Sequence, residues 1–147
     1  MRIVLDTSGL VSAIRSSNGA AAEIVRLAVL GKLTLLMDYK LACEYRDVAL
    51  RTHQLAEAGR TRKDVEAVID LLEAIANPVF VAFKYRPLSR DENDDMVLDV
   101  AINENAHAVV TNNVRDFAAA AVAFRIRALT PRDFLISFRQ GESDHAG

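Results

Sequence analysis

The chain has 147 residues and a mass of 16.2 kDa, which fits one domain rather than two, since domains most often run to about 100–150 residues. Hydrophobic residues make up 51% and charged residues 26%, which excludes general disorder; the formal net charge of −2 excludes holding nucleic acid by bulk positive charge. The single cysteine, Cys43, allows no internal disulfide, and no apolar run nears the roughly 20 residues that span a bilayer, so a soluble, cytoplasmic, non-membrane protein is expected.

Arg2 to Leu5 reads as a strand, a short β-branched run that is apolar on both faces and ends at Asp6-Thr7-Ser8-Gly9. That pattern suits a central parallel strand covered on each side. Leu10 to Ile14 gives one or two helical turns, and Ser16-Ser17-Asn18-Gly19 a loop. Ala20 to Leu30 is helical, with Ile24, Leu27 and Ala28 on one side and Gly31 as the C-cap. Leu33 to Met37 is the second strand. From Tyr39 to Ala58 the positions Leu41, Tyr45, Val48, Thr52 and Leu55 recur every three or four residues, which predicts one long amphipathic helix closed by Gly59. Thr61-Arg62-Lys63-Asp64 has the form of an N-terminal cap. The next helix turns Val65, Val68, Ile69, Leu72 and Ile75 inward until Asn77-Pro78 ends it, making an αα-hairpin with the helix before.

Val79 to Phe83 predicts a third strand, and Lys84 to Asn93 a polar loop around Pro87. Asp94 to Asn105 is helical, with Val97, Leu98, Ala101 and Ile102 as its apolar side. Ala108 to Val110 is a fourth strand, Ile126 to Leu129 a fifth, and Pro131 opens a last helix. The apolar stretches Val79 to Phe83 and Ala118–Phe124 could serve as core or as an interface, core being the favoured reading. Strands alternating with helical segments imply an α/β domain, with a central parallel sheet of four to five strands flanked by helices. It takes in residues 1–140 and leaves 141–147 as a frayed, flexible tail.

The three histidines, His53, His107 and His145, are scattered, which argues against zinc, and no glycine-rich phosphate loop occurs. Cys43 lacks a neighbouring histidine and reads as a small buried side chain. What remains is a set of carboxylates near strand ends: Asp6 after the first strand, Asp91, Asp94 and Asp95 before the helix that leads to the fourth, and Asp116 beyond it. Ligands of open parallel sheets bind beyond the carboxyl ends of the strands. Acids gathered there repel one another, and protonation, a basic partner or a divalent cation resolves the repulsion. Oxygen donors without imidazole or thiolate suit Mg²⁺ or Mn²⁺. Glu44, three residues after Leu41, lies on the margin of its helix's apolar stripe and points partly inward. Singly, each acid has an ordinary explanation as a cap, a loop residue or an edge charge. Their joint pattern is far less ordinary.

In this order and spacing, Val4-Leu5-Asp6-Thr7-Ser8, the acid in Leu41-Ala42-Cys43-Glu44, Asp91-Glu92-Asn93-Asp94-Asp95 and Thr111-Asn112-Asn113-Val114-Arg115-Asp116-Phe117 resemble the PIN-domain ribonucleases. The resemblance is to the small prokaryotic (VapC-like) toxins of toxin–antitoxin pairs in particular, and runs on through Leu129-Thr130-Pro131-Arg132-Asp133-Phe134. The third acid of such domains stands sixteen residues before the motif threonine, which picks Asp95 over Asp94. The resemblance implies a metal-dependent ribonuclease with catalytic Asp6, Glu44, Asp95 and Asp116. Asp6, Asp95 and Asp116 would be ligands to Mg²⁺ or Mn²⁺, and Ser8, Thr111 and Asn113 hydrogen-bonding neighbours. Ser8 replaces the asparagine of many relatives, and Asn93 a further aspartate. The resemblance also implies an RNA substrate, a homodimer and a small antitoxin that covers the acidic pocket. The site itself is negative, so RNA would need a basic rim, for which Arg15, Arg60, Arg62, Lys63 and Arg115 are the candidates. Two other readings stand beside this one: a catalytically inert binding or regulatory module, and a Mg²⁺ phosphohydrolase using an aspartyl nucleophile. The latter would want a second aspartate where Ser8 stands.

Overall fold

The computed structural model describes residues 1–84 and 92–146, and the side chains of all these except 92–93 and 143–146. Asp91, the Pro87 loop and the side chain of Asn93 lie outside the described residues. Five parallel strands form one sheet in the order β3-β2-β1-β4-β5: β1 (Arg2–Leu5), β2 (Thr34–Met37), β3 (Asn77–Pro78), β4 (Ala108–Val110) and β5 (Arg127–Leu129). Ile3, Val4 and Leu5 of β1 and Val109 and Val110 of β4 are buried, as their two-sided apolar pattern requires. The chain moves from β1 to β2 on one side and returns to β4 on the other. The sheet's winding therefore diverges between β1 and β4, where open parallel sheets leave a crevice.

Helices α1 (Thr7–Arg15), α2 (Ala20–Val29), α3 (Tyr39–Ala49), α4 (Thr52–Ala58), α5 (Arg62–Ile75), α6 (Glu92–Asn103), α7 (Val114–Phe124) and α8 (Pro131–Ala146) surround the sheet. The expected cap of α5 is a full capping box: the Asp64 amide donates to Thr61 Oγ1 (3.1 Å) and the Thr61 amide to Asp64 Oδ2 (3.4 Å). Val65, Ile69 and Leu72 bury its inward stripe. α6 packs on β1, β2 and β4 between α3 and α7, so Val97, Leu98, Val100 and Ala101 are all buried.

Four expectations are corrected. The long helix from Tyr39 to Ala58 is two helices: Leu50 closes α3, and Arg51, extended at φ −61° and ψ 139°, caps α4. α4 buries no residue fully, but Leu55 and Ala58 pack half-buried against the core where the bend brings α4 onto α1 and α3. Gly59, at φ +64°, then turns the chain toward α5. The third strand is only Asn77–Pro78, not Val79 to Phe83. Beyond it the Val79 amide still donates to the Met37 carbonyl (2.9 Å), but the Ala82 and Phe83 amides both donate to Asn103 Oδ1 (3.0 Å each). Asn103 Nδ2 donates in return to the carbonyls of Phe83 and Asp99 (2.8 Å each). A side-chain amide on α6 thus satisfies backbone groups that a neighbouring strand would otherwise take. Cys43 is exposed, because α3 turns Leu41, Ala42 and Tyr45 inward and leaves position 43 on the outer face. Ala118 to Phe124 belongs to α7, whose buried residues are Phe117 and Ala120; Val122 is 82% exposed, so the stretch is only partly core.

Candidate active site

β1 and β4 run side by side with Leu5 opposite Val110, and the Asp6 amide donates to the Val110 carbonyl (2.9 Å). The next residue on each strand, Asp6 and Thr111, therefore emerges at the same point of the sheet edge. Asp6 stops the strand and caps α1, its Oδ1 accepting from the Thr7 amide at 2.8 Å. Its Oδ2 accepts from Ser8 Oγ (2.8 Å) and Thr111 Oγ1 (2.7 Å). Each hydroxyl in turn accepts from the backbone of the β4–α7 turn. The Asn112 amide donates to Ser8 Oγ (3.0 Å) and the Asn113 amide to Thr111 Oγ1 (2.9 Å). A buried carboxylate is tolerable only with such donors around it. Gly9 lets α1 start this close to β1, since a Cβ there would lie 2.6 Å from Leu5 Cδ1.

Beside Asp6 opens a cavity of about 390 Å³. Its polar wall is made by Asp6 and Ser8, by Glu44 of α3, by Asp94 of α6, and by Asn112 and Asn113. Val11 and Val48 add an apolar patch, and Arg15 and Gln54 stand at the α1 and α4 side. Arg15 Nη2 donates to Gln54 Oε1 (2.5 Å) and to Glu57, so α4 is tied to the cavity by side-chain contacts. Next to Glu44, Tyr45 is fully buried and its hydroxyl donates to the Leu5 carbonyl (2.5 Å), one residue before Asp6. Burial pushes the Tyr45 phenol far above its ordinary range, and the charges of Asp6 and Asp38 push it further, so it remains a donor. This bond ties the helix that carries Glu44 to the strand that carries Asp6.

Of the residues expected in the site, Asp6, Ser8, Glu44, Asn113 and Arg15 line this cavity, and Thr111 reaches it through Asp6. Asp95 is buried at 4% exposure but does not line it; the wall takes Asp94, one residue earlier on α6. Asp116, in the first turn of α7, is exposed and also off the wall. Arg60 faces a second cavity, of about 220 Å³, together with Arg26 and Asp64. Arg62 is paired with Glu66 at 3.0 Å, and Lys63 and Arg115 are exposed. Arg46 is held charged by hydrogen bonds to Glu73 and Asp70 of α5. Sequence reading missed Gln54 and Ser12. Ser12 lies one turn after Ser8 and carries that spacing as a signal, whereas Gln54 carries none.

Among the described residues, no three His, Cys, Asp or Glu side chains are grouped so as to hold a metal ion. The carboxylates that border the cavity, Asp6, Glu44 and Asp94, offer oxygen donors only, and no histidine or cysteine shares the wall with them. That chemistry fits a hard dication. Among the described residues no helix is long and apolar enough to cross a membrane.

The family model described as PIN domain matches residues 2–115. No curated protein sequence matches the chain. Among solved structures, one similar to this chain is that of VapBC2 from Rickettsia felis bound to a DNA fragment from their promoter. The two share a TM-score of 0.58 and 17% identity over 88% of this chain and 97% of that one. That likeness is one of fold.

Proposed function

Because the chain belongs to the PIN-domain family, whose members are generally nucleases, we propose that it is a metal-dependent ribonuclease and the toxin of a toxin–antitoxin pair. The observation that carries this reading is the convergence of Asp6, Glu44 and Asp94, from three separate elements, on one cavity at the sheet's switch point. Asp6 and the acids at the start of α6 would hold Mg²⁺ or Mn²⁺. Asp94 has the place on the wall, Asp95 the family spacing, and Asp116 the role that the resemblance assigns it. Bound there, a dication supplies charge neutralisation at the phosphate and acidifies a water. The protein's own groups do the rest. Ser8 and Thr111 fix the Asp6 carboxylate, Glu44 takes the proton of the attacking water, and Arg15 offsets charge on the phosphate. A P–O bond to water would form as the bond to the leaving ribose oxygen breaks, that oxygen taking a proton from solvent water while Glu44 returns its own to solvent.

The RNA backbone would be tracked by Arg15, Arg60, Arg62, Lys63 and Arg115, outside the acidic wall. A homodimer and a small antitoxin that covers the cavity complete the proposal, with 1–140 as the nuclease domain and 141–147, which starts within α8, as its tail. The test is cleavage of RNA by the purified chain with Mg²⁺, with Mn²⁺ and with chelator, beside Asp6→Asn. Cleavage that needs the dication and falls at least about 100-fold in Asp6→Asn, with the melting transition retained, is the expected result. Equal cleavage by the variant, or by wild type in chelator, refutes the assignment.

A further inference from the structure

Two side-chain amides reach the cavity with their flips already decided. The two ends of an amide look alike except for hydrogen bonding, so which end is presented depends on which end is already occupied. Gln54 Oε1 accepts from Arg15 Nη2 (2.5 Å), and Arg15 is itself anchored to Glu57 one turn along α4. An arginine cannot accept, so the Gln54 oxygen is the end that faces it, and the Nε2 hydrogens are the end left for a further partner. Asn112 is fixed the other way. Its Nδ2 donates to the Ser8 carbonyl (3.2 Å) and to Ser12 Oγ (2.7 Å), which uses both hydrogens and leaves Oδ1 to be offered. Both orientations are set by hydrogen bonds within the protein.

Gln54 of α4, with its donor end left over, and Asn112 of the β4–α7 turn, with its acceptor end left over, thus line one wall with Asp6 and Glu44. Its volume of about 390 Å³ lies within the range of roughly 300–1,000 Å³ typical of small-molecule pockets and suits one nucleoside. We infer that Gln54 and Asn112 read the base of the nucleotide that flanks the scissile phosphate. This rests on the ribonuclease reading and adds the source of its sequence preference. Phosphate and sugar contacts carry no sequence information directly, whereas an amide paired to a base edge does. The bend at Leu50–Arg51 makes it possible. On a straight continuation of α3, Gln54 would sit ten residues, or about 15 Å along the axis, beyond Glu44.

The experiment is cleavage of a random-sequence RNA pool by the full chain with Mn²⁺ or Mg²⁺, with the cut sites sequenced. Wild type is expected to favour one base at one position beside the cut by about tenfold, the scale of a single base contact. Gln54→Ala and Asn112→Ala should each flatten that preference. Gln54→Glu, which keeps the shape but replaces donor by acceptor, should move it toward a base presenting a donor there. A packing defect alone would lower the rate and leave the base profile as it was, so the profile is the readout. The same profile in wild type and all three variants, or no base preference in wild type, overturns this inference and leaves the ribonuclease reading standing. A wild-type chain that cuts no RNA removes both.

Discussion

Removing one oxygen from Tyr45 tests whether the bond from α3 to the end of β1 holds the site's frame. In Tyr45→Phe the ring keeps its packing, while the Leu5 carbonyl loses its buried donor. A net hydrogen bond contributes about 0.5–1.5 kcal/mol, and stranding a buried acceptor costs about 1–3 kcal/mol, so a loss of about 1–3 kcal/mol is expected near neutral pH. At this chain length that corresponds to a fall in Tm of about 3–10 °C. The pH dependence adds a second signature. The Tyr45 phenol is raised in the folded state by burial first, then by Asp6 and Asp38. Its stabilisation is whole below the ordinary phenol pKa of about 10. Above that value the unfolded chain sheds the proton and the folded chain does not, so stability falls as pH rises, by about 1.4 kcal/mol per pH unit. Phenylalanine has no such proton. Urea melts of both proteins from pH 7.5 to 11.5 should therefore show their difference steady up to about pH 10 and shrinking beyond it. A difference under about 0.3 kcal/mol at neutral pH, or one unchanged through pH 11.5, would refute the reasoning.

Charge reversal at Arg60, Arg62 and Lys63 together should weaken binding of single-stranded RNA. It should also flatten the dependence of log K on log salt, by up to about 2 if each residue meets one phosphate, as filter binding across a salt series would show. An unchanged slope would place these three away from the backbone. Gly9→Ala should cost about 1–3 kcal/mol by overpacking, because the new Cβ would fall 2.6 Å from Leu5 Cδ1. Thermal unfolding reads that directly, and a Tm within a degree of wild type would mean that Leu5 swings aside.

The parts of the molecule governed by local chemistry were open to sequence reading. The two-sided apolar runs of β1 and β4 and the Thr61–Asp64 cap carry their own signals, and pairing of the two strands put Asp6 beside Thr111. What long-range packing decides was not open. Nothing in Leu50-Arg51 breaks a helix by propensity, so the bend, and with it the place of Gln54, follows from α4 docking on α1. Val79 to Phe83 has strand composition, yet Asn103, twenty residues away from Phe83, takes its amides. On α6, acids occupy both 94 and 95, and helix rotation alone determines which one meets the cavity. Motif spacing favoured Asp95, whereas the wall holds Asp94.

The Asn103 clamp also bears on how the protein behaves in a crowd. β3 lies at the margin of the sheet, where a row of unsatisfied amides would template strand capture by another chain. Pro78 has no amide to give, Val79 is engaged with Met37, and Ala82 and Phe83 are engaged with Asn103. With exposed Phe80 and Phe83 beside it, this border would otherwise invite aggregation, and one asparagine blunts it from within the same fold.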